Sequence, residues 1–362
     1  MAKRIVYFLG AGASKTFGYP LTGEIMPEIL TNLKAGDLFQ LGGRKSTREK
    51  EQEKHLDWYL NKLYPGLKLV NPETAPQKCP GIIEVLSFVE HSLLYNCPPH
   101  PEIAGENLSD LRYLLNRAIA ELLLDYENEG YNVRERGLLK RLIQLIRQPA
   151  SNHVTVITTN YDLIIDREFK PEIRSHQVDY GIAYRDVENS RLIPPPADPI
   201  FRLYKLHGSL NWLRCQLCGQ YYINPAGSIA ARAFDGEVGS WNTCDCSERL
   251  QLNAVLVPPS LVRDIRDPNL LQIWNSALEA IRTAHSLVLI GYSLPPEDLA
   301  IKSMIMRGMN GRKANLPPLK VTVIQQGEEA KQNYLNLFGK SIDYDGCGLE
   351  QYLGREPGVV RP

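Results

Sequence analysis

"RIVYFLGAGASKT", residues 4–16, decides how this chain is read. Residues 5–9 are continuously apolar rather than alternating, the mark of a strand buried on both faces, as in a parallel sheet. The run ends in Gly10-Ala11-Gly12-Ala13-Ser14, and a helix is expected to follow. Strand, glycine turn and helix together form the geometry in which bare backbone approaches a pyrophosphate and helix amides favour its charge. Two stricter patterns fail. Lys15 stands where the third glycine of G-x-G-x-x-G belongs, and Ser14 rather than glycine precedes Lys15-Thr16, which excludes a P-loop. Taken alone, the turn is as well explained by a structural bend as by a phosphate cradle.

Further strands of the same kind follow: "HVTVITTN" (153–160), "FRLYKLHG" (201–208), "NAVLVPP" (253–259), "SLVLIGYS" (286–293) and "KVTVIQQ" (320–326). Most end in Gly, Asn, Pro or Ser, and functional loops of open α/β sheets leave at such carboxyl ends. Residues 80–147 are different. Ile82, Leu86, Val89 and Leu93 repeat at helical spacing, as do Leu111, Leu115, Ala118 and Leu122, then Leu138, Leu142, Leu145 and Ile146. These stripes are read as core faces of three helices, with Ser109 the expected N-cap of the second. Residues 35–79 are polar, broken by Gly and Pro, and lead into them. "RLIPPPADPIF" (191–201) is expected to be an extended connection. The expectation is an α/β sheet interrupted twice, once by helices and once by a cysteine cluster.

The chain has 362 residues, 43% of them apolar, with 41 basic and 41 acidic side chains. That length suits one large domain with insertions, or two domains. Zero formal charge provides no global field for nucleic acid or an anionic membrane, and no interleaving of basic and aromatic residues marks a nucleic-acid reader. The run "GRKSTREKEQEK" (43–54) mixes both signs and is read as a solvated loop or helix face. No apolar stretch approaches the roughly 20 residues needed to span a bilayer. The short apolar run at the N-terminus ends in glycines without a cleavage-site pattern, so a cytoplasmic protein without a signal peptide is expected. Four of the seven cysteines fall in "CQLC" and "TCDC": Cys215, Cys218, Cys244 and Cys246. Two close pairs can make a tetrahedral thiolate site for zinc, and four thiolates fill its shell, so the site would be structural.

Three further stretches end strands with chemistry-bearing residues. "ITTNYD" (157–162) ends in Asn160 and Asp162, an ordinary Asx turn or an amide and carboxylate in a ligand crevice. "KLHGSLNW" (205–212) carries His207, whose imidazole can accept a proton near neutral pH. "LIGYSLPPED" (289–298) carries Gly291 and Ser293, a plain strand-to-helix turn or a ribose contact.

In this order, these features resemble the sirtuin (SIR2) superfamily, above all its bacterial SIR2-like branch. The resemblance implies a Rossmann-like parallel sheet with helices on both faces, a helical insertion and a small zinc-binding module. The corresponding division is an NAD-binding core at 1–34, 151–212 and 249–362, the insertion at 35–150, and a zinc ribbon at 213–248 packed near the NAD crevice. It implies Asn160 as the residue that positions ribose and attacking water, His207 as base, and Asp162 as a nicotinamide-side contact. Gly10, Ala11, Gly12, Ser14 and Thr22 would hold the pyrophosphate side of NAD⁺. Gly291, Ser293 and Gln325 would hold the adenosine side, Gln325 standing on the strand that resembles the family's adenine-side strand. The tail "FGKSIDYDGCGLEQYL" (338–353) also resembles that branch.

Two departures matter. Protein-deacylating members carry Gly-x-Pro-Asp-Phe-Arg where this chain has "GYPLTG" (18–23), and a Phe-Gly-Glu element that "LVPPSLVRDIRDP" (256–268) lacks. The expected activity is therefore NAD⁺ glycohydrolysis, which in this branch commonly serves anti-phage defence by NAD⁺ depletion. Lysine deacylation and a non-catalytic NAD or ADP-ribose sensor are the alternatives. A homo-oligomer or a partner defence subunit is expected, with no membrane and no nucleic-acid partner.

Overall fold

The computed structural model describes residues 3–40, 45–147, 153–225, 227–235, 242–261, 266–296 and 298–355. Gly43 and Arg44 of the charge run, residues 236–241 of the cysteine segment, residues 262–265 and Glu297 lie outside the described residues. The chain begins with β1 (Arg4–Leu9), α1 (Ala11–Lys15), α2 (Thr22–Ala35), α3 (Thr47–Leu63), α4 (Ile82–Tyr95), α5 (Glu106–Glu129) and α6 (Val133–Arg147). Next come β2 (His153–Thr158), α7 (Ile164–Glu168), α8 (Lys170–Arg174), β3 (Val178–Asp179), β4 (Tyr184–Asp186), β5 (Leu192–Ile193), β6 (Phe201–Lys205), β7 (Gly208–Arg214) and β8 (Tyr221–Ile223). It continues through α9 (Ala230–Asp235), β9 (Asn253–Leu256), α10 (Pro268–Thr283), β10 (Ser286–Ile290), α11 (Leu299–Asn310), β11 (Lys320–Ile324), α12 (Glu328–Phe338), β12 (Ile342–Asp345) and α13 (Leu349–Gly354).

Seven strands form a parallel sheet in the order β12-β11-β10-β1-β2-β6-β3. The order runs outward in both directions from β1, so right-handed crossovers place helices on both faces. The reversal falls between β1 and β10, and open α/β sheets bind ligands at such a switch point. The central strands are buried from their second residue onward because both faces are covered.

Register brings the strand ends to one level. Leu9 pairs with Ile290 on one side and Thr158 on the other, Thr158 pairs with Lys205, and Ile290 pairs with Ile324. Gly10, Thr159, Leu206, Gly291 and Gln325 therefore leave the sheet side by side.

Three expectations are corrected. "NAVLVPP" is not a strand of the parallel sheet: β9 pairs antiparallel with β7 in a second sheet, β5-β4-β8-β7-β9. A short Val/Leu run signals burial but not which sheet provides it. Ser109 lies inside α5, which starts at Glu106 with Gly105 as N-cap. Leu108 is buried, so the apolar face extends the helix one turn earlier. The charge run is not wholly solvated: most of it forms α3, capped by the Ser46–Glu49 box, and Glu49 is buried opposite Arg117. Arg117, fully buried on α5, also donates to Glu121 at 2.6 Å and Gln52 at 2.6 Å, and this satisfies the charges that join α3 to α5.

The turns after β1 and β10 interlock. The Gly10 amide donates to the Ile290 carbonyl at 3.0 Å and the Gly12 amide to the Gly291 carbonyl at 2.8 Å. A Cβ on Gly12 would sit 2.9 Å from the Gly291 oxygen; one on Gly291, whose φ is +63°, would sit 2.0 Å from the Ala13 nitrogen. Gly291→Ala is expected to cost at least about 2 kcal/mol, a left-handed penalty plus displaced backbone. A denaturant midpoint within error of wild type would refute this contact.

Candidate functional site

A crevice of about 360 Å³ opens over the carboxyl ends of the strands at the switch point. Asn160, Asp162 and His207 line it together, as do Ala11, Gly12, Ser14 and Thr22 on one side and Gly291, Ser293 and Gln325 on the other. Gly10 does not line it. Its carbonyl instead supports Asn160 from behind.

Asn160 is held by a web of short hydrogen bonds. Its backbone N–H donates to Thr158 Oγ1 at 3.0 Å, closing the turn after β2. Its Nδ2 donates to the Gly10 carbonyl at 2.9 Å and to Ser14 Oγ at 2.7 Å. Both side-chain donors are thereby committed, and Oδ1 is the group with which Asn160 can accept a hydrogen bond from a ligand or water. Ser14 in turn donates to Asp162 Oδ2 at 2.6 Å. Asp162 Oδ1 accepts from the Ile164 amide at 3.1 Å. Burial raises the Asp162 carboxyl above its ordinary value, against the opposing pull of Lys205, Ser14 and the Ile164 amide.

Beneath the loop, Lys205 on β6 is 1% exposed. It donates to the Asp162 carbonyl at 2.6 Å and pairs with Asp166 at 3.0 Å, and Tyr180 donates to the other Asp166 oxygen at 2.7 Å. A buried ammonium is tolerated here because it pairs with the Asp166 carboxylate and donates to the Asp162 carbonyl. Lys205 fixes the height of the loop from the sheet side.

His207 follows β6 by two residues. Its Nδ1 lies 3.1 Å from the Thr159 carbonyl. A carbonyl only accepts, so Nδ1 carries the proton and Nε2 is the basic nitrogen of the neutral ring. Tyr161 and Trp274 flank the ring, with centroids at 6.5 and 6.3 Å. The chain then turns at Gly208, φ +86°, where a Cβ would lie 2.0 Å from the Val255 oxygen. The pair His207-Gly208 thus passes from the parallel sheet into the second sheet at a point where only glycine fits.

The cysteines form a separate centre. The ligand atoms of Cys215, Cys218, Cys244 and Cys246 all lie within 4.8 Å of one another. Two of the separations, Cys215–Cys246 at 3.9 Å and Cys218–Cys244 at 3.5 Å, suit the roughly 3.8 Å edge of a tetrahedral zinc–thiolate site. The Cys246 amide donates to Cys244 Sγ at 3.4 Å, as a thiolate favours. These four residues could hold zinc. None of the four lines the crevice. β7 separates His207 from Cys215, about 20–25 Å of extended chain. A metal there would support the second sheet and take no part in chemistry at His207.

Sequence reasoning missed several crevice residues. Tyr19 is 2% exposed, and its hydroxyl finds no partner among the described residues. Asp298 is buried in the crevice wall and accepts from Tyr292 at 2.5 Å. The signals for both were weak: a Tyr before Pro20, and an acid in "PPED". Ile83 and Leu123 reach the crevice from the helices α4 and α5, and their sequence pattern showed only that those helices have buried faces.

Residues 154–231 match the family model described as a SIR2-like domain. No curated protein matches the chain. Among solved structures, the chain is similar to a mutant Sir2 homologue in complex with 2'-O-acetyl ADP ribose: 14% identity, 96% of this chain and 88% of that one, TM-score 0.43. It is also similar to a Sir2 homologue in complex with NAD: 12% identity, 96% of this chain and 86% of that one, TM-score 0.41. No helix among the described residues is long and apolar enough to cross a membrane.

Two outcomes follow from this geometry. Ser14→Ala should free one Asn160 donor and one Asp162 oxygen, costing about 1–3 kcal/mol by thermal or denaturant unfolding. The reduced, freshly purified chain should carry one equivalent of zinc by metal analysis, and Cys218→Ser should lose it together with part of the unfolding midpoint.

Proposed function

We propose that this SIR2-like chain is an NAD⁺ glycohydrolase, cleaving the nicotinamide–ribose bond to give nicotinamide and ADP-ribose. The observation that carries the reading is the convergence of Asn160, Asp162 and His207, from two strand ends, in one crevice at the switch point. The same reading assigns the chain to the NAD-binding core, helical insertion and zinc module set out above.

In this reaction the C–N bond breaks with its electron pair leaving on nicotinamide, and the ribose passes through an oxocarbenium-like state. Water adds to the anomeric carbon and gives up a proton. Asn160 Oδ1 would accept one O–H of that water and hold its lone pair toward the sugar. His207 Nε2 would receive the proton, directly or through a ribose hydroxyl. Asp162 would act on the nicotinamide side while Ser14 keeps its carboxylate oriented. Ala11, Gly12, Ser14 and Thr22 would flank the pyrophosphate. Gly12 would do so by lacking a side chain, since its amide serves Gly291. Gly291, Ser293 and Gln325 would receive the adenosine half.

Hydrolysis is favoured over acyl transfer by the insertion. Ile83 and Leu123 occupy crevice wall, and the Leu261 amide, after β9, donates to Ser87 of α4 at 2.8 Å. Both contacts set the insertion beside the crevice, which supports hydrolysis over transfer to an acylated peptide. A cytoplasmic role in NAD⁺ depletion during anti-phage defence, in an oligomer or with a partner subunit, accompanies the resemblance.

Incubation with NAD⁺ alone, with products separated by chromatography, tests the reading. Nicotinamide and ADP-ribose should form, and Asn160→Ala and His207→Ala should each lower turnover at least about 100-fold. Consumption that requires an acylated peptide would instead assign a deacylase, and tight binding without turnover a sensor.

A further inference from the structure

The helical insertion reaches the loop after β2 through one buried carboxylate. Glu127, in the last turn of α5, is 3% exposed. Its Oε1 accepts from the Leu163 amide at 3.1 Å, one residue past Asp162. Its Oε2 accepts from Arg167 Nη2 at 3.0 Å, and Arg167 Nη1 donates to the Glu127 carbonyl at 3.0 Å. Arg167 lies on α7, which the loop enters directly. One side chain of the insertion therefore holds the loop's exit and the helix that follows it. Lys205 holds the same loop from the sheet by the Asp162 carbonyl. A buried carboxylate is costly unless paired and hydrogen-bonded; Arg167 and the Leu163 amide meet that need, and the reaction above makes no use of it.

We propose that Glu127 is a positioning residue that braces loop 160–163 against the helical insertion, so that the insertion sets the placement of Asn160 and Asp162. The proposal rests on the reading of that loop as the reactive one. The charged and titratable groups facing Glu127 are Arg167 from α7, Asp162 from the loop, Lys205 from β6, and Tyr19 and Tyr131. Burial pushes the Glu127 carboxyl from its ordinary 4.5 up to about 7, with Arg167 and Lys205 opposing and Asp162 adding. Its value in the closed loop lies above that in water, so the braced state binds the proton more tightly than an opened one. The brace is then strongest below about 4.5 and weakens as pH rises to about 7. Neutral glutamine at this position keeps the shape and an acceptor for Leu163 without the titration.

Amide exchange at Asn160 and Leu163 in the full-length chain reads the brace directly. Protection factors, corrected for intrinsic exchange, would be measured from pH 5 to 8 beside ADP-ribose affinity and the global unfolding midpoint. In wild type, protection at both amides should fall at least tenfold across that range. Glu127→Gln should keep the protection and remove the pH step. Glu127→Ala should lower protection at both amides at least tenfold at pH 5 and weaken ADP-ribose binding. Protection within twofold of wild type in Glu127→Ala, or a surviving pH step in Glu127→Gln, would overturn the proposal. Should Glu127→Ala not fold, the Glu127→Gln arm decides. If wild type fails to bind ADP-ribose, the nucleotide reading falls while amide exchange still judges the brace.

Discussion

The backbone contact between the turn at Gly10–Gly12 and Gly291 is the constraint on which the crevice depends. β1 and β10 sit beside each other at the switch point, and their outgoing turns must pass at a separation that no Cβ permits. The two amide–carbonyl bonds across that contact extend the parallel ladder past the last strand residues. Strand register then fixes everything else: once Leu9, Thr158, Ile290, Lys205 and Ile324 are level, the loops that follow have little freedom in height. The glycines thus bring the floor of the crevice together whether or not a phosphate is present. The same tight packing that serves a structural turn also leaves Gly12 lining the crevice without a side chain.

On that floor the polar side chains restrain one another. Thr158 Oγ1 donates to the Leu9 carbonyl at 3.1 Å and accepts from the Asn160 amide. Asn160, Ser14 and Asp162 continue the chain of bonds across the turn after β1. Each group has its donors spent on a neighbour, so the arrangement is set before any ligand arrives, and ordering cost at binding is small. Ser14 is the shared member, accepting from one residue and donating to the other. Its place in the turn after β1 joins the glycine contact to the loop after β2.

Five of the seven parallel strands are visible as apolar runs because both faces are buried, which removes the polar half of the alternation. The others escape notice for physical reasons. β3 has two residues, and β12 is an edge strand only half covered, with Asp343 and Asp345 in it. The second sheet joins β7 to four pieces of two to four residues, β4, β5, β8 and β9; β4–β5 and β7–β8 are near in sequence, but β8 lies beside β4 and β9 beside β7 only through the tertiary fold. Site residues on strand ends are legible because turn chemistry and strand burial are both local signals. Lys205, Glu127 and Asp166 are not. A lysine inside an apolar strand, or a glutamate in a charged helix end, acquires meaning only when the fold brings a carbonyl or amide to it.

The charges behind the crevice are unbalanced in a way that bears on the proposed chemistry. Glu127, Asp162 and Asp166 stand against Lys205 and Arg167, an excess of one acid when all are ionised. Burial is the main reason that the Asp162 and Glu127 carboxyls are raised, over the opposing pull of Lys205 on both and of Arg167 on Glu127, with the neighbouring acids adding to it. The same excess would favour positive charge developing on a ribose held over Asn160. Water would dissipate most of it, so the effect depends on a dry wall. Ile83 and Leu123 supply apolar surface on the side of the insertion. An apolar wall on that side limits how far water screens the charges behind the crevice, so the helices and the buried carboxylates would act together on the proposed chemistry.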